Sequence, residues 1–87
     1  MTIIANLKTF TFAHNIIVMD GDKVLATTKA SMKNIPEVIS QLIDNYKCGQ
    51  VVLSGAKAYT KGIADKIKQC YKTKYTNNEI ELNIECL

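Results

Sequence analysis

Hydrophobic and polar positions alternate along the first third of the chain, which is the two-residue repeat typical of β-strands. We interpret residues 2–13 as one strand, or as two strands separated by a bulge, and residues 15–19 as a short β-branched strand. Asp20-Gly21-Asp22 predicts a tight hairpin, because glycine adopts positive φ without a steric penalty. Residues 23–29 are predicted to return as the partner strand.

From residue 34 the apolar positions change to the three- and four-residue spacing of one helical face. Asn34 is the expected N-cap, Pro36 falls in the first turn, and Glu37 stands at the capping-box position. Gly49 is expected to end this helix. The predicted buried face comprises Ile35, Val38, Ile39, Leu42, Ile43 and Tyr46.

The rest of the chain predicts a strand, a second helix and a last strand. Residues 50–54 are apolar on both faces of the predicted strand, which favours a central strand buried on both sides. Gly55 interrupts it, and a helix is predicted over about residues 60–75. Residues 79–86 alternate strictly between apolar side chains on one face and polar or acidic side chains on the other, which predicts the last strand.

The element order is therefore β-β-β-α-β-α-β within one domain, residues 1–87, of the α/β class bordering on α+β. The first three strands predict an antiparallel meander. Each later crossover joins parallel strands and is expected to be right-handed.

In element order the chain resembles the core of the ribonuclease H-like superfamily, which includes Holliday-junction resolvases and actin-like ATPases. The stretches that carry the resemblance are residues 3–6, the hairpin 16–26, and residues 51–55 leading to 61–64. The resemblance implies a five-stranded mixed sheet in the order 3-2-1-4-5. Both crossovers then step in the same direction, which places both helices on one face.

The chain departs from that superfamily at the positions that carry its chemistry. Its nucleases hold two metal ions with carboxylates, one in the first strand and another near the end of the fourth. Here those positions are Asn6 and Ser54, and Asp20 and Asp22 fall in the predicted hairpin turn. We therefore expect no enzymatic activity, no metal and no cofactor.

The face opposite the helices is the first candidate functional surface. Larger relatives cover it with a further C-terminal helix, whereas this chain ends at Leu87, so we expect it to be uncovered. Ile4, Phe10 and Phe12 are the candidate interface residues there, for a homodimer or a partner protein. In the alternative interpretation, Phe10 and Phe12 curl around the edge of the core.

The second candidate surface is the lysine-rich helix. All eleven basic residues of the chain are lysines. The absence of arginine argues against recognition of guanine through bidentate hydrogen bonds. Tyr71 and Tyr75 interleave with lysines, so this helix is an alternative binding site for anions or nucleic acid. In the other interpretation it is a solvated face with Tyr71 in the core. The candidate contacts are Lys57, Lys61, Lys66, Lys68, Lys72, Lys74 and Tyr75.

Other chemistry has weaker signals. His14, the single histidine, is expected in a surface turn, and residues 55–62 lack the Walker A order of glycine, lysine and serine or threonine. Cys48, Cys70 and Cys86 are widely spaced and favour reduced thiols. With no leader or apolar span in the sequence, we expect a cytoplasmic protein without membrane contact.

The sequence predicts a non-catalytic protein-binding module with a weak, sequence-tolerant nucleic-acid binder as the alternative. The abundance of lysine, asparagine and isoleucine fits an AT-rich genome, such as that of a bacteriophage of a low-GC host. An accessory or inhibitor protein encoded by a phage fits both the predicted binding function and this composition.

Overall fold

A computed structural model describes residues 1–7, 13–55, 57–74 and 81–87 of the chain. The described elements follow the predicted order and confirm the mixed α/β class. They are β1 (Thr2–Leu7), β2 (His14–Asp20), β3 (Lys23–Ala30), α1 (Ile35–Tyr46), β4 (Gln50–Gly55), α2 (Lys57–Lys74) and β5 (Asn83–Cys86).

The five strands form one mixed sheet in the order β3-β2-β1-β4-β5. The first three strands pair antiparallel, whereas β4 pairs parallel with both β1 and β5. This is the strand order expected from the resemblance. The central strand, β1, comes from the beginning of the chain.

A single hydrophobic core lies between the sheet and the two helices. Ile3, Ala5 and Leu7 of β1 point into it, as do alternate residues of β2 and β4. The helices contact each other and share this one core, which places both on the same face, as predicted. The shortest dimension of the molecule, 19 Å, corresponds to these two layers. The helical contribution to the core is Ile35, Ile39, Ile43, Ile63, Ala64, Ile67 and Tyr71.

Both ends of α1 differ from the prediction. Asn34 is the N-cap residue, but its side chain makes no capping hydrogen bond, so the predicted capping box is wrong. Glu37 instead accepts a hydrogen bond from Lys74 at the end of α2, at 2.8 Å. The helix ends at Tyr46 and not next to Gly49, and its C-cap residue Lys47 adopts the left-handed conformation (φ 55°).

The second helix begins at Lys57, three residues earlier than predicted. Gly55 makes this possible, because its φ of 136° is open to glycine alone among the residues commonly found in proteins. A Cβ atom at this position would overlap the backbone carbonyl of Leu7. Glycine therefore allows β4 to pair closely with β1 and then turn into α2.

The predicted hairpin is confirmed, with Gly21 at φ 61° between β2 and β3. The register shifts within this pair, since Val18 lies opposite Ala26 whereas Met19 lies opposite Val24. Leu25 is thus an extra residue on β3, and its side chain packs against the core.

Candidate protein interface

The strand residues that alternate with the core residues form the face of the sheet turned away from both helices, which we call the open face. No described helix packs on it, and the apolar side chains near its centre are half-buried. The open face comprises Thr2, Ile4, Asn6, Asn15, Ile17, Met19, Val24, Thr27, Lys29, Gln50, Val52, Ser54, Asn83 and Glu85.

An apolar row crosses the middle of the open face. The strand registers place Ile17, Ile4 and Val52 directly opposite one another on β2, β1 and β4. Neighbouring side chains on one sheet face lie about 4.5–5.5 Å apart at Cβ, so these three form a continuous strip. The row ends in Thr27 on β3 and in Glu85 on β5.

A polar row lies on one side of this strip, and a mixed row of Val24, Met19, Thr2, Gln50 and Asn83 lies on the other. On one side, Asn6 lies between Asn15 and Ser54, and the Ser54 hydroxyl lies 3.4 Å from the side-chain oxygen of Asn6. On the other side, Asn83 Nδ2 donates a hydrogen bond to Gln50 Oε1 at 3.1 Å. An apolar centre with a polar rim is the usual anatomy of a protein–protein interface.

The two edge strands carry opposite charges on the open face. Lys29 lies on β3 and Glu85 on β5, and both are exposed. Neither makes an ion pair with another residue that the structure describes. The face therefore has a positive edge and a negative edge, with the apolar row between them.

A shallow depression of about 380 Å³ opens at the positive edge. Asn15, Ile17 and Lys29 line it together with Thr27 and Thr28. The face is consequently uneven on its β2–β3 side, where a side chain from another protein can insert.

Of the predicted interface residues, Ile4 lies at the centre of the open face, whereas Phe10 and Phe12 fall outside the described residues. Ile17 and Val52 had not been predicted. The sequence did indicate them, because β2 and β4 have apolar residues on both faces of the strand. We had interpreted this in β4 as burial on two sides, which is wrong, because the core covers the Val51 side while Val52 is half-buried.

The lysine-rich helix forms a separate surface. Lys57, Lys61, Lys68 and Lys72 lie on one side of α2 and are all exposed, with Asp65 between them. Lys66 and Lys74 lie elsewhere, around a depression of about 330 Å³ next to Pro36. Tyr71 is buried in the core and thus unable to stack on bases, and Tyr75 falls outside the described residues.

The remaining reactive side chains are dispersed. His14 begins β2 and is buried (2% exposed), so its predicted surface turn position is wrong. Cys48 is also buried, which raises the pKa of its thiol, while Cys86 is exposed. In the described part of the chain, no three histidine, cysteine or acidic residues come together as a metal site would require.

Neither of the two described helices has the length and apolar character needed to cross a membrane.

Comparison with models of known protein families finds no match, and comparison with curated proteins finds none either. Among solved structures, the type II variant of the Ppx/GppA phosphatase from Aquifex aeolicus is similar at a TM-score of 0.48 and 12% identity. The likeness covers 99% of this chain and 35% of that chain.

Two further structures from Aquifex aeolicus are similar to the same degree. A PPX-GPPA enzyme has a TM-score of 0.47 and 12% identity, covering 99% of this chain and 35% of that chain. A Ppx/GppA family member has a TM-score of 0.48 and 13% identity, covering 99% and 34%. The chain thus spans about a third of the length of these proteins. Nothing about activity, substrate or partner passes to it at this level of similarity.

Proposed function

We propose that this chain is a non-catalytic protein-binding module that acts through the open face. The observation that carries the proposal is the apolar row of Ile17, Ile4 and Val52, which crosses a sheet face on which no described helix packs. Burying such a row against another protein removes apolar surface from water at about 25 cal/mol per Å². A contiguous apolar patch with a polar rim is characteristic of interaction sites.

The polar row beside the strip supports binding over catalysis. Asn6 and Ser54 lie side by side, at the positions where the resemblance to ribonuclease H-like nucleases would place metal-binding carboxylates. An amide and a hydroxyl lack the negative charge that a pair of divalent cations requires. An accessory or inhibitor protein, encoded by a phage and located in the cytoplasm, is the role that we infer for such a module.

The proposal is tested by replacing Ile4 and Val52 together with threonine, which keeps the β-branched shape but adds a hydroxyl group to the strip. We expect at least about tenfold weaker binding to whatever protein the wild type retains on affinity capture from its source cells, or to itself. Tyr59→Ser is the matched control, because it removes exposed apolar surface from α2 instead.

Circular dichroism and thermal unfolding should be used to check that the threonine variant is folded. The proposal is wrong if the wild type and the folded double variant capture the same proteins and sediment identically at tens of micromolar.

The lysine stripe of α2 favours a second candidate function, weak and sequence-tolerant binding of nucleic acid. Lys57, Lys61, Lys68 and Lys72 extend over about 22 Å of helix at 1.5 Å per residue. Such a row can follow phosphates, and binding would weaken steeply with salt as counterions are released. Its weakness is the buried Tyr71, which leaves the described stripe without an aromatic platform for bases.

A mobility shift with single-stranded and duplex DNA at 50 and 200 mM salt tests this second candidate. Replacing Lys61 and Lys68 with glutamine should weaken any complex, whereas the same change at Lys23 and Lys29 on the sheet should not. Failure to shift either DNA at 50 mM salt would exclude it.

A further inference from the structure

We propose that the occupant of the open face is a second copy of this chain, packed face to face about a two-fold axis parallel to β1. This inference rests on the proposed function and specifies its partner. It comes from the symmetric placement of apolar and charged side chains about the central strand.

The order β3-β2-β1-β4-β5 has β1 in the middle, with two strands on each side. A two-fold axis that runs along β1, between two stacked sheets, therefore places β2 over β4 of the partner and β3 over β5 of the partner. Sheets that pack in this aligned way lie about 10 Å apart, with their strands inclined by about 30°.

The middle row of the open face is self-complementary under this operation. Ile4 lies on the axis and meets its own copy, and Ile17 meets Val52 of the other subunit. Both contacts join apolar side chains that are only half-buried in the single chain. The depression beside Ile17 and Lys29 lies where the β4–β5 side of the other subunit arrives, so it can receive Val52 or Glu85.

The charges select this axis over the alternative. An axis perpendicular to the strands would stack β3 on β3 and β5 on β5, which brings lysine near lysine and glutamate near glutamate. The axis along β1 brings Glu85 of the other subunit over Thr27, diagonally adjacent to Lys29 on the same face of β3, twice in each dimer. Opposite charges across an interface fix orientation, whereas like charges oppose association.

The dimer should be weak. Four strand spacings make the face about 19 Å wide, which corresponds to the lower end of interface sizes. Its wholly apolar strip is a single row, and a row of polar side chains flanks it on one side. We therefore expect a dimer that dissociates at micromolar concentrations, with an affinity that falls as salt screens the two ion pairs.

A charge exchange between subunits tests the arrangement. In the Lys29→Glu variant, both interfacial pairs become glutamate against glutamate, and in the Glu85→Lys variant both become lysine against lysine. Each variant alone should dimerise about tenfold more weakly than the wild type at low ionic strength. In the mixed dimer, both pairs are again opposite in charge.

The measurement is native mass spectrometry of the two variants, singly and as an equimolar mixture, with one of them labelled with nitrogen-15. Sedimentation equilibrium gives the affinities. The expected result is that the mixed dimer exceeds both homodimers and matches the wild-type affinity. The chain carrying both substitutions should regain dimerisation as well. Lys23→Glu is the control, because it makes the same charge change on β3 at a position outside the open face.

A wild type that is monomeric at 100 μM overturns the inference, as does a dimer whose affinity is unaffected by either charge reversal. In both cases the proposed function is judged separately, by whether the Ile4→Thr, Val52→Thr double variant loses a protein that the wild type captures. If either charge variant unfolds, Lys29→Gln and Glu85→Gln replace the pair. Each of these substitutions alone should then weaken dimerisation relative to the wild type. If neither changes the affinity, the inference is overturned.

Discussion

Gly55 is the residue on which the sheet depends most. It ends β4 opposite Leu7 of β1, at a φ of 136°, and a Cβ atom there would overlap the Leu7 carbonyl. Gly62, in the middle of α2, has nothing within 4 Å of where a Cβ would lie. The two glycines thus have opposite energetic roles, since one is required by the backbone and the other only lowers helix propensity.

Alanine substitutions separate these roles. Gly55→Ala should destabilise the fold by about 2–4 kcal/mol, because the strained φ and the clash act together. Gly62→Ala should stabilise it by about 0.5–1 kcal/mol through helix propensity. The free energy of unfolding of both variants is measured by urea denaturation, with the same dependence on urea concentration as for the wild type. A Gly55→Ala variant as stable as the wild type would contradict this account of the β4–α2 turn.

The left-handed residue at the end of α1 provides a second test at the same scale. Lys47 has a φ of 55° and forms an exposed ion pair with Asp44 at 3.3 Å. Lys47→Gly should stabilise the protein by about 1 kcal/mol, because glycine adopts this conformation freely. Lys47→Ala is the matched control, since it also removes the ion pair but keeps the steric cost. Equal unfolding midpoints for the two variants would show that φ is not the cause.

Among the elements, the two helices are joined by contacts that sequence periodicity does not reveal. The predicted capping box used Glu37 locally, yet its carboxylate bonds to Lys74, 37 residues later. That hydrogen bond and the lysine charge lower the pKa of Glu37. The start of α1 is therefore linked to the end of α2 by an exposed ion pair.

Replacing Lys74 with glutamine should return the pKa of Glu37 toward its ordinary value. Since the pKa of Glu37 is depressed in the folded protein, its stabilising contribution is present at neutral pH and is lost as the pH falls through the folded pKa. The variant should lack this part of the acid destabilisation. Carboxyl titration by NMR, with Lys72→Gln as the control, checks the assignment, and an unchanged Glu37 titration would refute it.

The elements themselves were largely predictable, since strict alternation and three-four spacing report which face is buried. Their ends were not, because they depend on particular backbone conformations. Lys47 takes the left-handed position instead of Gly49, and α2 begins at Lys57 because Gly55 turns the chain early.

The candidate site was predicted only at Ile4. Strand pairing brings Ile17 into the apolar row and makes Lys29 and Glu85 its neighbours, and register depends on contacts between distant parts of the chain. The buried position of His14 was missed for the same reason, since it follows from pairing with Ala30 rather than from local polarity.

At the scale of the whole molecule, two of the three cysteines differ sharply in their exposure to solvent. Cys48 is 1% exposed beneath the end of α1, and Cys86 lies exposed on the edge strand. Thiolate is the reactive form, and burial both raises the pKa of Cys48 and blocks access to it.

Alkylation at neutral pH should modify Cys86 rapidly and Cys48 only through opening of the core. We expect the Cys48 rate to increase with urea in parallel with global unfolding, as peptide mass spectrometry can measure site by site. A Cys86→Ser variant provides the control, because it shows whether the alkylation rate of Cys48 depends on reaction at Cys86. Comparable rates for Cys48 and Cys86 in the native protein would contradict the buried position.

The central place of β1 also has a consequence for how the chain is made. Leu7 pairs with Gly55, so the second neighbour of β1 is synthesised 48 residues after it. At about 5–20 residues per second, β1 waits roughly 2–10 s for this neighbour, with its backbone groups unpaired on that side. Such an edge can pair with another chain. The rate of translation through α1 thus sets how long each new molecule is exposed to aggregation.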